Sequence, residues 1–247
     1  MKEARTIRTI LRRSWWIVSL VFIVSCENSR SSQIVHEFRA STGTVYATSF
    51  PMAENPISER GKWVNGREVG IRWANIATTP GLAYGTESGR SGYDDSTALL
   101  TGTWGSDQMA EATVRSVNQT ERVYEEVELR LRSSLSAQRA TGYEINFRCS
   151  KTAKAYAQIV RWDGRFGKFT YLTTQDGMKY GVADEDVVKA TIVGNVITAY
   201  INGVQVLQAT DNVYTIGSPG MGFFLDGAAS GVNKDYGFAN FKASDSF

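Results

Sequence analysis

The chain has 247 residues, with 27 basic and 25 acidic side chains and a formal net charge of +2. Five of the bases (Lys2, Arg5, Arg8, Arg12, Arg13) and one acid (Glu3) lie in the first 25 residues, so the remaining 222 carry 22 bases, 24 acids and a net charge of −2. The basic excess belongs to the N-terminus alone, no Lys/Arg-rich run follows Arg13, and no nucleic-acid partner is implied.

After that basic start comes an apolar run, Trp15 to Val24, closed by Ser25 and Cys26. This order reads as an export signal over residues 1–25. The run is short of the roughly 20 apolar residues that a spanning helix needs. The ending Ile23-Val24-Ser25-Cys26 resembles the bacterial lipobox, which implies that Cys26 is lipidated and becomes the new N-terminus. The expected address is the bacterial cell envelope, lipid-anchored at the outer membrane or cell surface, with membrane contact through the lipid. Residues 26–43 mix Ser, Arg, Asn and Gln with few large apolar groups and read as a flexible tether.

From Val45 to Thr103 the composition favours Gly, Asn, Ser and Thr, with Trp63, Trp73, Tyr84, Tyr93 and Trp104 scattered through it or just beyond. Short strands and long loops are expected there, without a definable register. From Gln108 onward apolar and polar residues alternate: Ala110, Ala112, Val114; then Val127, Leu129, Leu131; then Tyr143, Ile145, Phe147. That period of two predicts antiparallel strands with one face buried and one wet. Tyr156–Trp162, Lys168–Thr173, Val187–Val193, Val196–Ile201, Val204–Ala209, Met221–Leu225 and Tyr236–Lys242 continue the series. Asp163-Gly164, Gly194-Asn195 and Asn202-Gly203 supply hairpin turn chemistry. No segment after Cys26 sustains a 3.6-residue apolar period. The expectation is one all-β domain, an antiparallel jelly-roll β-sandwich over residues 44–247 with its terminal strands adjacent.

Gly105-Ser106-Asp107-Gln108-Met109-Ala110-Glu111, Asp186-Val187-Val188-Lys189-Ala190, Tyr200-Ile201-Asn202-Gly203-Val204 and Gly217-Ser218-Pro219-Gly220-Met221-Gly222 follow one another as strand starts and turns. Their order resembles the laminin-G-like branch of the concanavalin A-like lectin/glucanase superfamily, over roughly Thr44 to Ala243. The resemblance implies a carbohydrate or surface-protein partner. It leaves open glycan binding, polysaccharide cleavage by a hydrolase or lyase, and a structural envelope role.

Glycosidases of that fold use paired carboxylates on one strand, which flank the glycosidic oxygen. Glu126 and Glu128 have the i, i+2 spacing that points two acids to one side of a strand. The laminarinase-like pattern E-x-D-x-x-E is not completed, because Leu131 stands where the third acid is needed, with Arg130 and Arg132 on either side of it. Glu111/Arg115, Glu126/Arg130 and Glu144/Arg148 read better as a cross-strand salt-bridge ladder on a three-strand meander. A lyase would need a base near Gln158-Ile159-Val160, with Tyr156 and Arg161 close by. The one histidine, His36, lies in the tether.

Ligand-stacking candidates are therefore Trp63, Trp73, Tyr84, Tyr93 and Trp104, whose rings offer an apolar plane to a sugar. Asp94, Asp95 and Asp226 are loop carboxylates suited to a structural calcium, the one cofactor that the sequence leaves open. Cys149, alone once Cys26 is lipidated, reads as a small packing residue. The reading with most support is a non-catalytic glycan- or surface-partner-binding sandwich.

Overall fold

The computed structural model describes residues 43–90, 94–119, 121–227 and 232–247. The signal segment, Cys26, the tether with His36, and Tyr93 lie outside the described residues. Among the described residues, fifteen strands follow one another. The first five are β1 (Val45–Thr48), β2 (Trp63–Asn65), β3 (Ile76–Thr79), β4 (Leu82–Gly85) and β5 (Ser96–Leu100). Next come β6 (Gln108–Ser116), β7 (Tyr124–Ser136), β8 (Arg139–Arg148), β9 (Tyr156–Gly164) and β10 (Phe169–Asp176). The last are β11 (Val187–Val193), β12 (Val196–Ile201), β13 (Val204–Thr210), β14 (Ser218–Asp226) and β15 (Tyr236–Ser244).

They form two antiparallel sheets packed as a jelly-roll sandwich. The first runs β13-β12-β11-β6-β15-β4-β3, with β1 also paired to β15, so the N- and C-terminal strands are adjacent as expected. The second runs β10-β9-β8-β7-β14-β5-β2. The alternating apolar residues meet between the sheets: Val127, Leu129, Leu131, Tyr143, Ile145 and Phe147 from one, and Ala110, Ala112, Val114, Val188, Ile192 and Phe241 from the other. Cys149 is a free, buried thiol in this core, a packing residue.

Turn chemistry holds where both central residues can take positive φ. Asn202 (φ 52°) and Gly203 (φ 78°) join β12 to β13. The Asp163-Gly164 expectation misses by two residues. Both stay within β9, and the chain reverses at Arg165–Lys168, where the Lys168 amide donates to the Arg165 carbonyl at 2.9 Å. The three-strand ladder is also corrected. β6 and β7 are consecutive in sequence but lie in different sheets, so Glu111 faces Lys189 and Lys242 across its own sheet while Arg115 pairs with Asp184 at 2.9 Å.

Candidate functional site

The outward face of the second sheet is concave and carries the same-parity residues of its strands. On β7 these are Tyr124, Glu126, Glu128 and Arg130; on β8, Glu144, Asn146 and Arg148; on β9, Tyr156, Gln158, Val160 and Trp162; on β10, Phe169 and Tyr171. Register brings Glu126 opposite Arg148, Glu128 opposite Asn146, and Arg130 opposite Glu144. A cavity of about 340 Å³ opens here, and Phe224, Asp226 and Asp95 complete its lining.

This polar face is not wet. Glu126, Glu128, Arg130, Glu144, Asn146 and Arg148 are all buried, so the period-two pattern reports strand but not solvent. At its centre Arg130 donates to Glu128 and to Glu144 (2.6 Å), with Asp95 at 3.5 Å. Its guanidinium lies over the Trp73 ring at 4.7 Å and near Trp162 at 5.9 Å, and the Trp162 indole N–H donates to Glu144 at 2.5 Å. Gly222, directly across from Glu128 on β14, makes the arrangement possible, because a Cβ there would overlap the Glu128 carboxylate. Arg148, although in register with Glu126, instead donates to the carbonyls of Lys154, Glu121 and Val123 and stacks on Tyr124 at 4.3 Å. Glu126 is left with Tyr156, whose hydroxyl donates to it.

These contacts set the protonation. Burial pushes the Glu126 carboxyl up to about 7, with Glu144 adding repulsion and Tyr156 opposing the rise. Burial also raises Asp95 and Glu128 well above the usual carboxylate range, partly offset by Arg130. The Asn146 side-chain N–H donates to Glu144 (3.0 Å) and Gln158 (3.1 Å), while its Oδ1 has no partner among the described residues.

The sequence candidates fall as follows. Trp63 is buried, donating to Tyr46 (2.9 Å) and Glu59 (3.2 Å) and packing on Phe241. Trp104 is buried, donating to the Thr101 carbonyl at 3.2 Å. Trp73 is buried beneath Arg130 and edge-on to Trp162. None of these three offers an open ring, which corrects the expectation of solvent-facing tryptophans: a sandwich this size uses its large rings to fill the edges of its core. Tyr84 is half-buried, with Lys234 5.2 Å from its ring centroid, and it does not line the cavity. The exposed rings at the cavity are Tyr124 (44% exposed) and Tyr171 (55%), with Phe169 beside Tyr171 at 5.2 Å. Their strand parity with Glu126 and Trp162 was the available signal.

Of the three aspartates, Asp94 sits half-buried near Ser88, and Asp226 borders the cavity at the end of β14. Asp95 joins Glu128 and Glu144, each bringing a carboxylate oxygen within 4.8 Å of the others, a group that could hold a metal ion. In this arrangement the Arg130 guanidinium supplies the positive charge among them, and calcium, which takes six to eight oxygens, would have to displace it. The lyase set does not assemble. Tyr156 and Gln158 line the cavity, but Arg161 points to the other face, tied to Asp163 (2.7 Å) and Asp211 (2.5 Å).

In sequence, no family model and no curated protein matches the chain. Solved structures resemble it in fold. One is the endo-β-galactosidase from Clostridium perfringens that releases GlcNAcα1-4Gal, with a TM-score of 0.52 and 9% identity, covering 83% of this chain and 63% of that one. Another is the metal-free Emp46p carbohydrate recognition domain, with a TM-score of 0.50 and 11% identity over 82% and 97%. The carbohydrate-binding module CBM66 from Bacillus subtilis gives a TM-score of 0.49 and 16% identity over 76% and 94%. At such identities the first two establish the concanavalin A-like sandwich and nothing finer.

Proposed function

We propose that this protein binds glycan without cleaving it, that the cavity on the concave sheet is the binding site, and that a lipid on Cys26 displays it at the bacterial cell envelope. The observation that carries the binding reading is the composition of the cavity. Exposed rings at Tyr124 and Tyr171 border a floor of carboxyl and amide groups from Glu126, Asn146 and Gln158. A sugar presents apolar C–H faces and hydroxyls together, and such a wall and floor satisfy both. The carbohydrate recognition domain and the endo-β-galactosidase among the structures of similar fold agree with this reading.

Catalysis by a carboxylate pair needs one ionised acid free to attack and a second to donate a proton, roughly 5–5.5 Å apart for retention. Glu126, raised to about 7, suits a proton donor. Glu128 does not suit the other role, because its carboxylate is held by Arg130. A glycoside hydrolase stays as the second reading on the strength of Glu126 alone.

The test is a glycan array, followed by titration of the glycans that bind and by assays for reducing ends and for unsaturated products. Binding without turnover is expected. Tyr124→Ala and Tyr171→Ala each weaken it by about 0.5–1.5 kcal/mol, taking a sugar–ring contact as comparable to a ring pair. Turnover that disappears in Glu126→Gln refutes the non-catalytic reading, and binding indifferent to both tyrosines refutes the site.

A further inference from the structure

A second depression lies at one end of the concave sheet, and it is lined by basic side chains where the cavity is lined by carboxyl groups. It is a groove of about 1040 Å³ lined by Arg72, Arg139, Arg165 and Lys168, with Asp163, Phe166 and Ile71 among the remaining walls. All four bases are exposed. They come from three separate segments: the loop before β3, the start of β8, and the turn between β9 and β10. No ion pair involves any of the four among the described residues. The one acid in the groove is already engaged, since Asp163 accepts from Arg161 at 2.7 Å and from Thr170 at 2.8 Å. Arg139 is also positioned: its guanidinium lies across Gly164, where a Cβ would come within 2.9 Å of Nε.

The groove and the cavity share a wall. Ile71 and Phe166 line the groove, and Trp162 and Phe169 line the cavity. All four belong to one apolar cluster with Trp73 and Ala140. Guanidinium groups bind planar or tetrahedral oxyanions through paired N–H donors, which suits a carboxylate or sulfate better than a hydroxyl. The lining of the cavity holds no basic side chain to meet such groups.

We propose that this groove is an anion subsite, which takes the sulfate ester or uronic carboxylate of a glycan chain whose uncharged units occupy the cavity. The proposal rests on the cavity being the glycan site. It assigns the ligand class: a polysaccharide that carries charge on some units and not on those held by Glu126 and Asn146. A free anion would have no use for the aromatic wall, and a fully charged polymer would find no cation on the cavity floor.

The test titrates the full chain with matched oligosaccharides of one backbone, uncharged, sulfated or uronic, and with inorganic sulfate, at low and high salt. The charged oligosaccharide is expected to bind about tenfold tighter than the uncharged one at low salt, several screened contacts each contributing less than that factor. The advantage disappears at high salt and in Arg165→Glu/Lys168→Glu, and is reduced in the milder Arg139→Gln, while affinity for the uncharged oligosaccharide is unchanged. Equal binding of the two oligosaccharides, or an advantage that survives both variants, overturns the subsite and leaves the cavity standing. Inorganic sulfate that binds as tightly as the charged oligosaccharide overturns the shared-chain ligand. No binding of any oligosaccharide overturns the cavity reading itself, which the unchanged uncharged-ligand titration otherwise verifies.

Discussion

Replacing Glu126 by Gln should stabilise the protein above neutral pH. Glu126 is buried on the cavity floor with Tyr156 donating to it, and burial lifts its carboxyl from 4.5 to about 7. The groups that face it are Tyr124, Glu128 and Arg130 on its own strand, Glu144 and Arg148 on β8, Tyr156 on β9, Asp226 on β14 and Asp95 just before β5. A carboxyl with a raised folded-state value binds more protons folded than unfolded between 4.5 and about 7, so its contribution to stability falls as pH rises through that window. A rise of that size corresponds to about 3 kcal/mol at the high-pH limit, most of it developed between about pH 5 and pH 8. Gln keeps an oxygen for Tyr156 and never ionises, so it escapes this cost. Thermal unfolding followed by circular dichroism should show Glu126→Gln near wild type at pH 5. At pH 8 it should be more stable by about 2–3 kcal/mol, which for a domain of this size is roughly 4–12 °C in Tm. A variant less stable than wild type by the same margin at both pH values would refute the argument, because Glu126 would then be an ionised partner in a favourable pair.

Arg130→Met removes the one cation among Asp95, Glu128 and Glu144. Denaturant titration should show a loss of about 3–5 kcal/mol at pH 7, and no loss would mean that these carboxyls do not depend on the guanidinium. Gly203→Val, at φ 78° in the β12–β13 turn, should cost about 1–3 kcal/mol in the same assay, and no loss would mean that the turn accepts a β-branched residue. Cys26→Ala should abolish acyl labelling and leave the precursor uncleaved, whereas an unchanged mature mass with continued membrane retention would remove the lipid anchor from the proposed function.

Strands β6 to β15 were legible because each is six residues or longer and several, such as β6, β7 and β8, alternate apolar and polar residues, with Gly194-Asn195 and Asn202-Gly203 marking reversals. β1 to β5 were not. Val45–Thr48, Trp63–Asn65, Ile76–Thr79 and Leu82–Gly85 are three or four residues long, and much of their stability comes from pairing with distant partners such as β15 and β5. Sheet membership was equally hidden. Nothing local in Gln108–Ser116 and Tyr124–Ser136 tells that the chain changes sheet between them. The acids of the site were seen, yet their burial was not, because alternation says which residues share a face and is silent about what covers that face. Trp73 and Trp162, which pack against it, are 57 and 32 positions from Arg130 in sequence, yet in space their rings lie 4.7 Å and 5.9 Å from its guanidinium.

The two outer faces of the sandwich differ in a way that bears on function. On the first sheet, Glu111 and Lys189 are partly exposed and Lys242 and Arg115 are exposed, so their charges remain solvated and are inexpensive. On the second sheet, Asp95, Glu126, Glu128, Arg130, Glu144 and Arg148 are desolvated together. Folding alone gives no reason for this, since a buried ion pair can often be exchanged for apolar residues of similar volume with no loss of stability, or with a gain. Asp95, Glu126, Glu128 and Glu144 all line the cavity, Arg130 ties three of them together, and Arg148 braces the rim tyrosine, Tyr124. The desolvated charge is thus concentrated where a ligand would be held, and its cost to stability makes sense if those groups are there to be met by hydroxyls rather than to hold the sheets together. Glu126→Gln separates the two demands: a gain in stability at pH 8 accompanied by weaker glycan binding is the outcome this argument requires.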